Sequence, residues 1–86
     1  MNTIKWTPTA TKQWHKLPEK VKVAIHSAVQ TLEGWPTVSN VKKLVNREEY
    51  RLRVGRYRVL FSIDNSGKIT VILINEVKKR DERTYQ

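Results

Sequence analysis

The stretch Tyr50-Arg51-Leu52-Arg53-Val54-Gly55-Arg56-Tyr57-Arg58-Val59-Leu60-Phe61 alternates apolar and basic residues on either side of a two-residue break. A period of two marks a β-strand with one face buried. A break that begins with glycine marks a type II′ hairpin turn, because only the first loop position then needs a positive φ. Placing Gly55-Arg56 in the loop fixes the register. Val54 lies opposite Tyr57, Arg53 opposite Arg58, Leu52 opposite Val59, Arg51 opposite Leu60 and Tyr50 opposite Phe61. One face of the hairpin is then apolar, and the other gathers Arg51, Arg53 and Arg58.

Working outward, Ile63 continues the alternation, and Asp64-Asn65-Ser66-Gly67 supplies a second turn from residues that tolerate turn geometry. Ile69 to Ile74 is nearly all apolar, as in a strand lying within the sheet. The charged end, Lys78 to Gln86, is compatible with a last helical turn. On the other side, Trp35 to Asn46 shows no period and is expected to be irregular. Before it, Val21, Ile25, Ala28, Val29 and Leu32 form a stripe at helical spacing, which Gly34 and Pro36 bring to an end. Ala10, Trp14 and Leu17 mark one face of a shorter helix. Thr7 is placed to cap it, with Pro8 at the first helical position, where a missing N–H costs nothing. Thr3 to Trp6 alternates again. The order β-α-α-β-β-β predicts one α+β domain over residues 1–86: an N-terminal strand, a helix hairpin and a three-stranded antiparallel meander.

Composition bounds the rest. The chain has 86 residues, 17 Lys and Arg against 8 Asp and Glu, and a net charge of +9, an excess that favours an anionic partner. Without cysteine there is no disulfide framework, thiolate metal site or thiol nucleophile. The longest apolar run, Val71 to Ile74, is far short of the ~20 residues of a membrane span. No basic start followed by an apolar stretch suggests secretion, so a cytoplasmic domain is expected.

Like charges opposed across a β-ladder are destabilising, so the three guanidiniums call for an anion from outside. Arginine suits phosphate, since its planar fork donates two parallel hydrogen bonds and stays charged. Lys42, Lys43, Arg47, Arg56, Lys79 and Arg83 extend the basic character and are candidate contacts for the same phosphate-bearing partner. Other chemistries are poorly supported. His15 and His26 have no third ligand at metal spacing. Glu48-Glu49 and Asp81-Glu82 are adjacent pairs, expected to diverge as solvated charges. Trp6, Trp14 and Trp35 suit the core, whereas Tyr85, in a basic polar tail, could stack on a base.

The motif Lys43-Leu44 followed by Tyr50 to Phe61 resembles the RelE/ParE superfamily of bacterial and archaeal toxins. The opening Trp6-Thr7-Pro8-Thr9-Ala10, the run Trp14 to Pro18 and the ending Lys79 to Tyr85 extend the likeness over nearly the whole chain. It implies the RelE/ParE-like microbial ribonuclease fold. It also implies, for the RelE branch, a toxin that cuts mRNA in the A site of the 70S ribosome and so inhibits translation. Such a toxin needs no metal or other cofactor and is neutralised by a cognate RelB-like antitoxin. By position, Arg51, Arg53 and Arg58 match the family's basic residues around the turn. Arg80 matches the arginine that assists the leaving oxygen, with Arg83 a competing candidate, and Tyr85 matches the tyrosine that orients the base. In the type member the two residues before the turn are lysines. Arginine, which keeps its proton far above neutral pH, is a poor general base but a good oxyanion clamp. Two other readings stay open: a ParE-like inhibitor of DNA gyrase without nuclease activity, and a non-catalytic RNA-binding module.

Overall fold

In the computed structural model, which describes residues 2–79, the hairpin forms in the expected register. Strands β3 (Glu49–Val54) and β4 (Tyr57–Asp64) pair antiparallel, with Val54 opposite Tyr57, Arg53 opposite Arg58 and Tyr50 opposite Phe61. Gly55 takes a φ of 56° while Arg56 does not share the positive sign, the type II′ pattern. Upstream lie β1 (Asn2–Trp6), α1 (Pro8–His15), α2 (Glu19–Gln30) with a short 3-10 turn (Thr31–Gly34), and β2 (Val41–Lys43). β5 (Thr70–Lys79) follows β4. Among the described residues no helix is long and apolar enough to cross a membrane.

The sheet has five strands in the order β1-β5-β4-β3-β2, one more than the expected meander and N-terminal strand. The addition is β2, three residues of the segment expected to be irregular. Its approach turns on Asn40, at φ 62°, whose carbonyl accepts from the Arg53 amide at 2.9 Å; asparagine enters that left-handed region more readily than most residues. β1 runs parallel to β5, and the remaining pairs are antiparallel.

Both helices lie on one face, α1 over β5 and α2 over β3. Thr7 caps α1 as expected, its hydroxyl oxygen accepting from the Ala10 amide at 3.1 Å. The predicted apolar stripe points inward. Ile25, Val29 and Leu32 meet Leu52, Val59, Phe61, Ile72, Ile74 and Val77, all buried, and Trp6, Trp14 and Trp35 close the cluster at its margins. The Trp14 indole donates to the Lys22 carbonyl at 3.0 Å, tying α1 to the start of α2.

β5 departs most from expectation. It runs to Lys79, so Lys78 and Lys79 are strand rather than helical turn. It also carries a bulge. Phe61 pairs with Ile74 but Leu60 with Glu76, so Asn75 is an extra residue. The bulge reverses the parity of the strand: Ile72, Ile74 and Val77 face the helices, while Glu76 and Lys78 share the opposite face with Leu60 and Arg58. α1 secures the irregularity. Thr7 donates its hydroxyl to the Asn75 carbonyl at 3.1 Å, and the Val77 amide donates to Gln13 Oε1 at 2.7 Å.

The turn before β5 is held by Asp64, whose carboxylate accepts from the Ser66 hydroxyl at 2.7 Å and the Ser66 amide at 3.1 Å. These bonds, the hydroxyl's first, hold the Asp64 carboxyl below its ordinary value. Its contribution to stability is therefore present at neutral pH and fades as pH falls through that lowered range.

Removing the clamp on the bulge tests its weight. Gln13→Leu leaves the half-buried Val77 amide without a partner and is expected to cost about 1–3 kcal/mol. At roughly 4–8 °C per kcal/mol for a domain of this size, a thermal melt reads the loss directly. An unchanged midpoint would show that the bulge holds without Gln13.

Candidate functional site

The face of the sheet away from the helices is where the basic residues meet. Cross-strand pairing arranges them in two rows. One row runs Glu76, Leu60, Arg51, Lys42 across β5, β4, β3 and β2, and the next runs Lys78, Arg58, Arg53. Three arginines and two lysines thus stand on one surface, with Glu76 the one carboxylate within the two rows and Glu49 at their border. Leu60 is only 5% exposed although it lies outside the core cluster. It forms an apolar floor beneath the long side chains of its neighbours, whose alkyl stems cover it while their charges reach water.

Arg58 sits between Arg53 on one side and Lys78 on the other, with donors on both flanks and no acceptor opposite. Its Nε is buried and has no hydrogen-bond partner, the one such side-chain nitrogen or oxygen among the described residues. A buried polar donor left unpaired costs free energy. The clustered guanidinium charge around it suits a phosphate oxygen. Lys78 pairs with Glu76 on the same strand, Nζ to Oε1 at 3.2 Å.

A second polar group borders the arginines. Glu49 Oε2 accepts from the Asn75 amide nitrogen at 2.8 Å, and Asn75 also reaches Ser62 Oγ at 3.3 Å. The other Glu49 oxygen pairs with Arg47. Glu49 is therefore not the solvated charge expected of an adjacent carboxylate pair, and Arg47 is engaged by it rather than held out to a ligand.

Of the residues singled out in the sequence, Arg51, Arg53, Arg58 and Lys42 share the face. Lys43 does not: it pairs with Tyr50, on the helix side, and its ammonium lies 6.0 Å from the Tyr50 ring centroid. Arg56, at the hairpin tip, borders a groove with Lys20, Val21 and Ala24 of α2. Lys79 pairs with Tyr57 at the exposed end of β5, one residue out of step with Lys78. Arg80, Arg83 and Tyr85 lie outside the described residues. His15 packs edge-on against Trp14 and His26 approaches Gln30 on the surface, in keeping with structural roles. Sequence reasoning missed Glu76 and Lys78. The available signal was a glutamate at a position where unbroken alternation from Ile72 and Ile74 would bury it, which only a bulge can relieve.

With this geometry in view, the chain can be placed among known proteins. Residues 4–80 match the family model described as the ParE toxin of the type II toxin–antitoxin system parDE. The chain belongs to the RelE/ParE superfamily and is a toxin of a type II toxin–antitoxin system. Among solved structures it is similar to the toxin–antitoxin complex RelBE2 of Mycobacterium tuberculosis. There the identity is 31% and the TM-score 0.73, covering 91% of this chain and 96% of that one. It is also similar to the RelE–RelB complex of the archaeon Pyrococcus horikoshii, at 28% identity and a TM-score of 0.77, covering 94% and 97%. The isolated RelE toxin of Escherichia coli, at 17% identity and a TM-score of 0.77 over 93% and 85%, shares the fold. No curated protein matches.

The opposed guanidiniums predict a stability effect of unusual sign. Arg53→Met removes a like-charge pair from the ladder and is expected to stabilise the free protein by about 0.5 kcal/mol, or ~2–4 °C in the melting midpoint at low salt. The gain should shrink as salt screens the repulsion. A destabilised variant would mean that Arg53 makes a structural contact outweighing the repulsion.

Proposed function

We propose that this toxin is a ribosome-dependent mRNA endonuclease of RelE type, cutting in the ribosomal A site and so arresting translation in the cytoplasm. The observation that carries the proposal is the arginine face with its unpartnered Arg58 Nε, a surface built for a phosphate. The reaction is attack of the ribose 2′-hydroxyl on the adjacent phosphorus. It gathers negative charge on the non-bridging oxygens, and Arg51, Arg53 and Arg58 lie together to hold that charge. Fixed donors aimed at a developing oxyanion lower the barrier because they need no reorganisation. Lys42 extends the same surface along the RNA. On the family pattern, Arg80 or Arg83 steadies the leaving oxygen and Tyr85 orients the base. Lys43, Arg56 and Lys79, away from the arginine face, suit contacts with the ribosome or RNA beyond the cut.

The partner that restrains such a toxin is a cognate antitoxin of RelB type, as in the complexes from M. tuberculosis and P. horikoshii. The net charge of +9 favours acidic segments in that partner and speeds their encounter.

The family model's ParE description motivates a second reading, inhibition of DNA gyrase without RNA cleavage. That reading leaves the arginine face without a task, which is why the nuclease is preferred. Purified protein and its Arg58→Ala variant, added to mRNA-programmed ribosomes with cuts mapped by primer extension, decide between them. Cuts at A-site codons are expected from the wild type, with a loss of about 10²–10³-fold in the variant, the scale of removing one oxyanion donor. Intact mRNA together with accumulated gyrase–DNA cleavage complexes would establish the second reading. RNA binding that Arg58→Ala merely weakens, with no cleavage by either protein and no effect on gyrase, would leave a binding module.

A further inference from the structure

Cleavage by a 2′-hydroxyl needs two proton transfers, one off the attacking oxygen and one onto the departing 5′-oxygen. Arg51, Arg53 and Arg58 can do neither well, because a guanidinium holds its proton too firmly. The strand before the turn carries no lysine, so the proton chemistry has to come from elsewhere on the face. Glu49 is committed to Arg47 and Asn75. Glu76 remains as a carboxylate and Lys42 and Lys78 as ammoniums, and of the two lysines Lys78 is the one beside Glu76, on the β5 side of the arginines.

We propose that Glu76 and Lys78 are the general base and general acid of the cleavage reaction, an assignment that rests on the nuclease reading above. Glu76 lies in the row of Leu60, Arg51 and Lys42, and Lys78 in the row of Arg58 and Arg53. The pair therefore borders the arginine patch along its whole β5 side. Their side chains are 29% and 45% exposed, open enough to meet a substrate, and they stand 3.2 Å apart. The Glu76 carboxylate takes the proton of the 2′-hydroxyl as the O2′–phosphorus bond forms. The phosphorus–O5′ bond breaks, and its electron pair takes a proton from the Lys78 ammonium. The products are a 2′,3′-cyclic phosphate and a 5′-hydroxyl. Protonated Glu76 and neutral Lys78, back within hydrogen-bond reach, exchange the proton and restore the ion pair. No external acid, base or metal enters the balance.

The position of Glu76 supports a catalytic role over a merely electrostatic one. A carboxylate within a phosphate-binding surface opposes binding, so a face evolved only to hold RNA would do better without it. The groups that set its environment are Lys78 on its own strand, Arg58 from β4, Arg51 and Glu49 from β3, Lys42 from β2 and Lys5 from β1. Most of them are cations.

Single-turnover cleavage on mRNA-programmed ribosomes tests the assignment, with co-sedimentation measuring binding and thermal melts confirming that each variant folds. Glu76→Gln is expected to slow cleavage by about 10²–10⁴-fold, the usual weight of general acid–base catalysis, while binding programmed ribosomes as well as wild type or better. Glu76→Asp should recover part of the rate. Lys78→Met should be slow on ordinary mRNA but recover on an mRNA with sulfur in place of the 5′-bridging oxygen at the cut site, since a thiolate departs without a proton. Glu76→Gln should stay slow on that substrate. If the wild type cuts and Glu76→Gln cuts within about threefold of it, far below the weight expected of a general base, this inference fails and the nuclease reading stands. If Lys78→Met is not rescued by the sulfur substrate, the acid assignment fails. If the wild type leaves mRNA intact on ribosomes that a known interferase cuts, the nuclease reading and this inference fall together.

Discussion

The hydrogen bond from the Val77 amide to Gln13 holds in place the feature on which the two faces of the sheet depend. β5 has one residue more than β4 needs, and the extra residue, Asn75, reverses the parity of everything after it. Without the bulge, Val77 would leave the core and Glu76 would enter it. A carboxylate buried without a partner is among the costliest things a small domain can contain. The bulge therefore lets one strand serve a hydrophobic core with its first half and a cationic surface with its second. α1 participates from outside the sheet, contributing Thr7 and Gln13 to the backbone around Asn75.

The cationic face illustrates how function is set against stability. Arg53 and Arg58 oppose each other directly, Lys78 follows, and no carboxylate intervenes in that row. The fold holds these charges together with apolar burial on the opposite side, from Leu52, Val59 and Phe61 to the α2 stripe. On the nuclease reading proposed above, such charge is assembled before the substrate arrives, and binding relieves repulsion present in the free protein. The orphaned Arg58 Nε is the most local expression of the same strain.

Much of this could be read from the sequence, for identifiable reasons. The hairpin register followed from strict alternation and one glycine, and because a period of two assigns faces unambiguously, the grouping of Arg51, Arg53 and Arg58 followed as well. β2 escaped notice because three residues are too few to show a period, and because its pairing is set by the backbone turn at Asn40. Glu76 and Lys78 escaped for a different reason. Local pattern carries parity only as far as the ladder is regular, and the bulge depends on Thr7 and Gln13, more than sixty positions away. The engagement of Glu49 was hidden in the same way, since its partner Asn75 comes from another strand.

The margins of the sheet have a consequence of their own. A strand at an edge offers unpaired amides and carbonyls to any neighbouring chain, and long flat edges invite stacking of molecule on molecule. Here the edge beside the arginine face is β2, only three residues long, two of them lysines. A second copy aligning along it would find a ladder too short to reward the approach and a charge that repels it. The cationic surface is thus bordered by a strand that discourages edge pairing with an identical molecule.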